Sequence, residues 1–238
     1  RDYELSVVIL EEAEEEVEID TFITINKTSK KVDTSLAYVL KNRINYNRAS
    51  KDISISKREY LAVELATALN GSEKKRSSLW ENKILFEGSA RQTPQLISLN
   101  AFVMSMRSLL YYLQQHGVVR EDWDDQNQLM DCIDVLYDIT DAIWLEIRNK
   151  WPDLFGSDLE KRRIIQGSIG FSSINKYLIQ WLKDMKGNMS PEEFIARATS
   201  WIQAIQLPSR VWLPGGQFAK YSSAAGFSII AQELMESA

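Results

Sequence analysis

Residues 124–150 read DDQNQLMDCIDVLYDITDAIWLEIRNK and are followed by Trp151-Pro152. Leu129, Ile133, Leu136, Thr140, Ile143, Ile147 and Trp151 recur at steps of three and four, which sets them along one face of a helix. Asp131, Asp134, Asp138 and Asp141 fall on the opposite face and are expected to form a solvated acidic surface. Pro152 lacks the N–H that a further turn needs, so the helix stops there. At 1.5 Å per residue it is about 40 Å long, enough to be the spine of a helical layer. The fold class expected around it is mainly α (α+β overall), with a small strand-containing N-terminal remnant followed by a multi-helix body.

On the C-terminal side, helices are expected over Leu159–Lys183 and Pro191–Ile205. The second opens with Ser190-Pro191-Glu192-Glu193, which combines an N-cap, a first-turn proline and a capping-box glutamate. A Gly/Ser-rich turn, Pro214 to Ala225, precedes a closing helix from Gly226 to Met235. On the N-terminal side, Asn100 is the expected cap of a helix carrying Phe102, Val103, Met106, Leu109, Leu110 and Leu113, ended by Gly117. Lys83 to Gly88 suits a short edge strand, and Gly71 to Ser78 a polar, mobile loop. Ser56 followed by Glu59 is a capping-box signature for a helix with Leu61, Leu65, Ala68 and Leu69, stopped at Asn70-Gly71.

The first forty residues read differently. Tyr3 to Leu10 is a short apolar run of buried-strand type. An acidic helix follows from Glu11, with Val17, Phe22 and Ile25 on its apolar face, and it closes near Asn26. Lys27 to Asp33 is a polar loop, after which Asp33 or Thr34 caps a helix carrying Leu36, Val39, Leu40 and Ile44. A division at residue 55 is expected, with 56–238 as the helical domain. Arg1 leads almost directly into the apolar run, which reads as a piece cut from a longer chain.

Composition narrows the function classes. The 238 residues are 45% hydrophobic and 26% charged, with 10 Gly and 5 Pro, which excludes collagen-like and disordered chains. The longest apolar run falls far short of the roughly 20 residues a bilayer span needs, so a cytoplasmic protein without a membrane partner is expected. One cysteine excludes a disulfide framework and multi-cysteine metal centres. Lys and Arg total 28 against 33 Asp and Glu, a net charge of −5, which argues against broad binding of naked nucleic acid. A local basic patch stays open at Lys27, Lys30 and Lys31, at Lys74, Lys75 and Arg76, or at Lys161, Arg162 and Arg163.

Catalytic constellations are not legible. The sole histidine, His116, belongs to a helix C-terminus, where a cation suits the dipole. Cys132 lies beside the apolar stripe and is expected in the core. The aspartate stripe lacks the inward orientation and histidines of a di-metal bundle, so no metal or other cofactor is expected. Gly215-Gly216-Gln217 matches the release-factor tripeptide, yet three residues in a turn need no function. Neither phosphate-cradling glycine motif is present.

From Tyr3 to about Leu40 the order of features resembles the later part of the DGQHR-domain family, which includes DndB-like proteins with a ParB/sulfiredoxin-like core. The residues that carry it are Leu5-Ser6-Val7-Val8-Ile9, then Phe22-Ile23-Thr24-Ile25-Asn26 (the family's F-x-x-I-N), a Lys-Thr-Ser-Lys-Lys-Val loop and a helix near Leu36. Val63 to Asn70, Leu79-Trp80 and Ile97 to Leu99 extend the likeness. The DGQHR pentapeptide itself is absent and would lie upstream. The resemblance implies a DNA-associated protein of a bacterial DNA-modification or phage-defence system. It carries over only to Phe22, Ile25 and Asn26, with Lys27, Lys30 and Lys31 as phosphate contacts. Phe22 and Ile25 also read as core, and Asn26 as a helix-terminating residue bonded to the loop after it. Two rivals stay open: a non-enzymatic helical module with a protein partner, and the supporting half of a ParB-like nucleotide hydrolase or nuclease. An oligomer is compatible with all three.

Overall fold

The computed structural model describes residues 17–19, 21–24, 35–40, 56–71, 78–86 and 95–238. The expected strand Tyr3–Leu10 lies outside them, as do Ile25, Asn26, Lys27, Lys30 and Lys31. Residues 17–19, 21–24 and 35–40 are helical. The body comprises α1 (Lys57–Asn70), β1 (Ile84–Leu85), β2 (Ile97–Ser98), α2 (Leu99–Gln115), α3 (Gln126–Lys150), the short α4 (Leu159–Arg162), α5 (Ser168–Asp184), α6 (Pro191–Ala204) and α7 (Ala224–Glu236). Single 3-10 turns at Pro152–Leu154, Ser209–Trp212 and Gln217–Lys220 join them. The protein is mainly α, and the described residues include one small parallel ribbon.

Short polar side chains start the helices by taking up the first free amides. At α1, Ser56 and Glu59 complete the expected capping box, each side chain meeting the other's backbone N–H. At α3, Asp125 accepts from the amide of Gln128, and Trp151-Pro152 ends the helix as the sequence requires. Ser190 caps α6 by accepting from Glu193, but the Glu193 carboxylate turns to Arg197 at 2.7 Å rather than back to the cap. Asn100 does not cap α2. Ser98 does, accepting from Ala101 at 3.3 Å, because the end of β2 already has the extended backbone that a cap requires.

Helices α2, α3 and α6 each bury one face, whereas α1 is buried on most of its circumference. Tyr60, Leu61, Ala62, Val63, Leu65, Ala66 and Leu69 are all buried, and α1 packs on both α2 and α3. Further contacts run from α2 to α5, α5 to α7, and α3 to α6. Asn70 then ties the end of α1 to the ribbon, its side chain accepting the amide of Ile84 at 2.8 Å. In the ribbon Ile84 pairs with Ile97, and Leu85 with Ser98. The carbonyl of Lys83 accepts from both Leu96 and Ile97.

Trp80 stands at the centre. It is fully buried and meets Phe102 of α2, Trp144 of α3 and Phe171 of α5 edge-on, with centroids 6.1, 4.7 and 5.1 Å away. Phe102 and Phe171 stack at 4.6 Å. A second group, Trp151, Trp212 and Phe218, closes the far end of α3 against the 3-10 turns, with the Trp151 indole donating to the carbonyl of Leu207.

The expected single helix over Leu159–Lys183 is two helices. Between them Ile165, Gln166 and Gly167 are buried, and the Gln166 amide donates to the carbonyl of Leu79 at 2.7 Å. A Cβ on Gly170 would lie 2.0 Å from the carbonyl oxygen of Ile165, so the chain folds back more tightly than any side chain permits. Gly170→Ala is expected to destabilise by at least about 2 kcal/mol, as forced overpacking does, read from urea denaturation.

Glu59 does more than cap. Burial pushes its carboxyl up, but hydrogen bonds from the Ser56 amide and hydroxyl and from Arg107, at 2.8 Å, outweigh burial and hold it below the usual range. A lowered folded-state carboxyl contributes stability above its unfolded pKa and loses it as the pH falls through the folded value. Glu59→Gln is therefore expected to cost about 1–2 kcal/mol at neutral pH. That difference from the unaltered chain should fade below about pH 4, the ordinary glutamate range. Denaturant titrations at both pH values measure it.

Candidate functional site

The N-terminal site residues are placed only in part. Phe22 is 47% exposed and the neighbouring Ile23 is buried, which reverses the expectation that Phe22 is core. One residue is 100° of helix, so with Ile23 turned inward Phe22 sits at the rim. There it lines, with Ile19, Leu36 and Leu40, an apolar groove of about 460 Å³. The stretch from 35 to 40 also touches the body: the Ser35 hydroxyl accepts from Asn100, and the Tyr38 phenol donates to Glu59.

The acidic stripe of α3 is shorter than expected. Asp131, Asp134 and Asp138 are exposed, but Asp141 is buried. The apolar arc of α3 has widened past the one-face stripe to take in Tyr137 and Trp144, and Asp141 lies at its edge. Among the described residues no group of three or more His, Cys, Asp or Glu is placed to hold a metal ion. Cys132 is buried as expected, and burial pushes its thiol up, away from the reactive thiolate. Gly215-Gly216-Gln217 is a structural turn. Gly215 takes a left-handed φ of 81°, a Cβ on Gly216 would meet the carbonyl of Arg210 at 2.4 Å, and Gln217 donates to Glu233. Among the described residues no helix is long and apolar enough to cross a membrane.

A group of cations from three segments is the arrangement with chemical capacity. Lys83 precedes β1, Arg148 lies in the last turn of α3, and Arg162 ends α4. The corner after α4 is tied to the turn that carries Lys83 by the bond from the Gln166 amide to the Leu79 carbonyl. Arg162 is fixed. Its Nη2 donates to the carbonyls of Phe155, at 2.6 Å, and Gly156, at 3.2 Å, and its guanidinium lies over the Phe155 ring. Its Nε is buried with no hydrogen-bond partner among the described residues. Burial and then the nearby Arg162 hold the Lys83 ammonium below its usual range, with Glu81 pulling the other way. Burial and then Arg148 lower the Arg162 guanidinium likewise. None of the three forms an ion pair with a carboxylate among the described residues. Among the described residues these half-buried like charges are an electrostatic cost that Glu81 offsets in part at Lys83, and an oxyanion would relieve it further. The sequence marks Lys161–Arg163 as a basic run but nothing local joins it to Lys83 or Arg148.

A further cleft, about 450 Å³, opens beside His116 between the end of α2 and the α5–α6 connection. Comparison with known proteins adds nothing to these sites: no protein-family model, curated protein or solved structure matches the chain.

The two half-buried cations should behave oppositely on substitution. Lys83→Gln removes repulsion and no ion pair, so the urea midpoint is expected to hold or rise. Arg162→Gln frees two backbone carbonyls and should cost about 1–2 kcal/mol. Equal losses in both variants would contradict this division of roles.

Proposed function

We propose that this chain is a DNA-associated protein of a bacterial DNA-modification or phage-defence system, acting as a DndB-like regulator or accessory factor. The observation that carries the reading is the meeting of Lys83, Arg148 and Arg162, where, after burial, Arg162 lowers the Lys83 ammonium and Arg148 lowers the Arg162 guanidinium. It concentrates positive charge at one place on a chain whose net charge is −5. Its arginine fork and lysine suit phosphate oxygens, which position a protein on a duplex without reading its sequence. The resemblance of residues 3–40 to the DGQHR-domain family supports the same reading and adds Lys27, Lys30 and Lys31 as a second basic element. Acidic faces elsewhere, at Asp131, Asp134 and Asp138, would repel the duplex and confine binding to these places.

A second reading, a non-enzymatic helical module for a protein partner, is favoured by the apolar groove that Phe22 lines. Salt dependence separates the two. Duplex DNA affinity is expected to fall steeply between about 50 and 200 mM salt, with a log–log slope of about −2 to −3 for three phosphate contacts. Replacing Lys83 and Arg148 by Gln, or Lys30 and Lys31 by Glu, should flatten that slope by about one for each phosphate-binding cation removed. Affinity that ignores both salt and these substitutions overturns the proposal and leaves the helical module.

A further inference from the structure

His116 is the single histidine of the chain and caps the C-terminus of α2. Its two ring nitrogens face two different backbone carbonyls. Nδ1 lies 2.9 Å from the oxygen of Gly187, and Nε2 lies 2.9 Å from the oxygen of Leu182. A carbonyl oxygen only accepts, and a neutral imidazole has one N–H, so it can satisfy one of the two and must turn a lone pair toward the other. Only the imidazolium donates to both. We infer that His116 is a proton-operated latch, closed when its ring is doubly protonated, which fastens the end of α2 to the α5–α6 connection.

The surroundings of the ring fit a latch. The backbone on either side is built to bring the segments together: the His116 carbonyl accepts the amide of Met189 at 3.0 Å, and Gly117, at φ 67°, packs against Asn188. Gly187, the partner of Nδ1, also has a left-handed φ, 83°, which lets its carbonyl turn to the ring. The two carbonyls come from different places, one from the last turn of α5 and one from the loop beyond it, so the bonds span a joint rather than a single turn. The Leu182 oxygen already accepts the Met185 amide at 3.2 Å and turns its second lone pair to the ring, and a cation there also meets the negative end of the helix dipole.

The titratable side chains facing the ring across the cleft are the Tyr112 phenol and the Lys183 ammonium, and Lys183 lies over the Tyr112 ring. Asp184 and Lys186 flank the same connection. Lys183 opposes a second positive charge nearby, and the two carbonyls and the dipole favour it. Protonation closes the latch. As the pH rises and the ring loses a proton, one carbonyl faces a lone pair, the joint loosens, and the His116 cleft is free to open.

The test needs no ligand, and the lone histidine makes its ring signals unambiguous. With the ring titration followed by ¹H–¹⁵N NMR, amide exchange of Met189 and its neighbours is measured on the full chain between about pH 5 and 8. After correction for intrinsic exchange, protection of Met189 is expected to fall about tenfold in step with the ring, the effect of losing roughly one hydrogen bond. Protection of core amides in α1 should stay constant. In His116→Gln the step should vanish. Ring titration with no change in the amides of 183–189 overturns the latch, and that readout comes from the unaltered chain even where the variant folds poorly.

Discussion

The packing of Trp80 is the constraint that the rest of the body obeys. It is a large side chain from a turn, not from a helix, and it is fully buried among rings from α2, α3 and α5. Edge-to-face contacts of this kind favour one orientation of the rings beyond the area they bury. Truncating such a residue typically costs about 3–5 kcal/mol, a large fraction of the stability of a domain. The indole N–H is buried without a hydrogen-bond partner among the described residues, so packing outweighs an unmet donor here.

Holding the 78–86 turn inside the bundle has a consequence for charge. The turn brings Lys83 to the surface seam that Arg148 and Arg162 share, and the bond from Gln166 to Leu79 locks the α4–α5 corner against it. The two glycines of that corner, Gly167 and Gly170, permit its tight fold, because a Cβ there would strike the carbonyls of Arg163 and Ile165. Core packing and the cationic cluster thus share one turn, which buries Trp80 inside the bundle and carries Lys83 three residues on. The proposed association with DNA would run through that cluster, on a chain whose net charge is −5.

Much of the scaffold is legible in the sequence because its signals are local. Ser56 with Glu59, and Ser190, mark helix starts by side-chain chemistry that acts within one turn. The stripe from Leu129 to Trp151 marks α3 over its full length, and each of its seven residues is buried. What is not legible depends on partners far along the chain. The two-residue strand Ile97–Ser98 has no periodicity of its own and exists because Ile84 and Leu85 pair with it. The break in Leu159–Lys183 is hidden because Ile164 and Ile165 continue an apolar pattern, while the cause is the close approach of Gly170 to Ile165. That Ile23 is buried rather than Phe22, and Asp141 rather than the other aspartates, turns on how wide an arc each helix covers, which its neighbours decide. The cationic cluster is half visible, since Lys161–Arg163 stands out as a run, but Lys83 and Arg148 join it only through tertiary structure.

The central claim is that Lys83, Arg148 and Arg162 form a phosphate-binding seam. Its most direct measurement is a crystal of the full chain soaked with tungstate, a phosphate-shaped oxyanion located by its anomalous scattering. An anion is predicted within hydrogen-bond distance of Lys83 Nζ and of the Arg148 or Arg162 guanidinium, and absent in Lys83→Gln. Tungstate bound only elsewhere, with the three cations left to water, would contradict it.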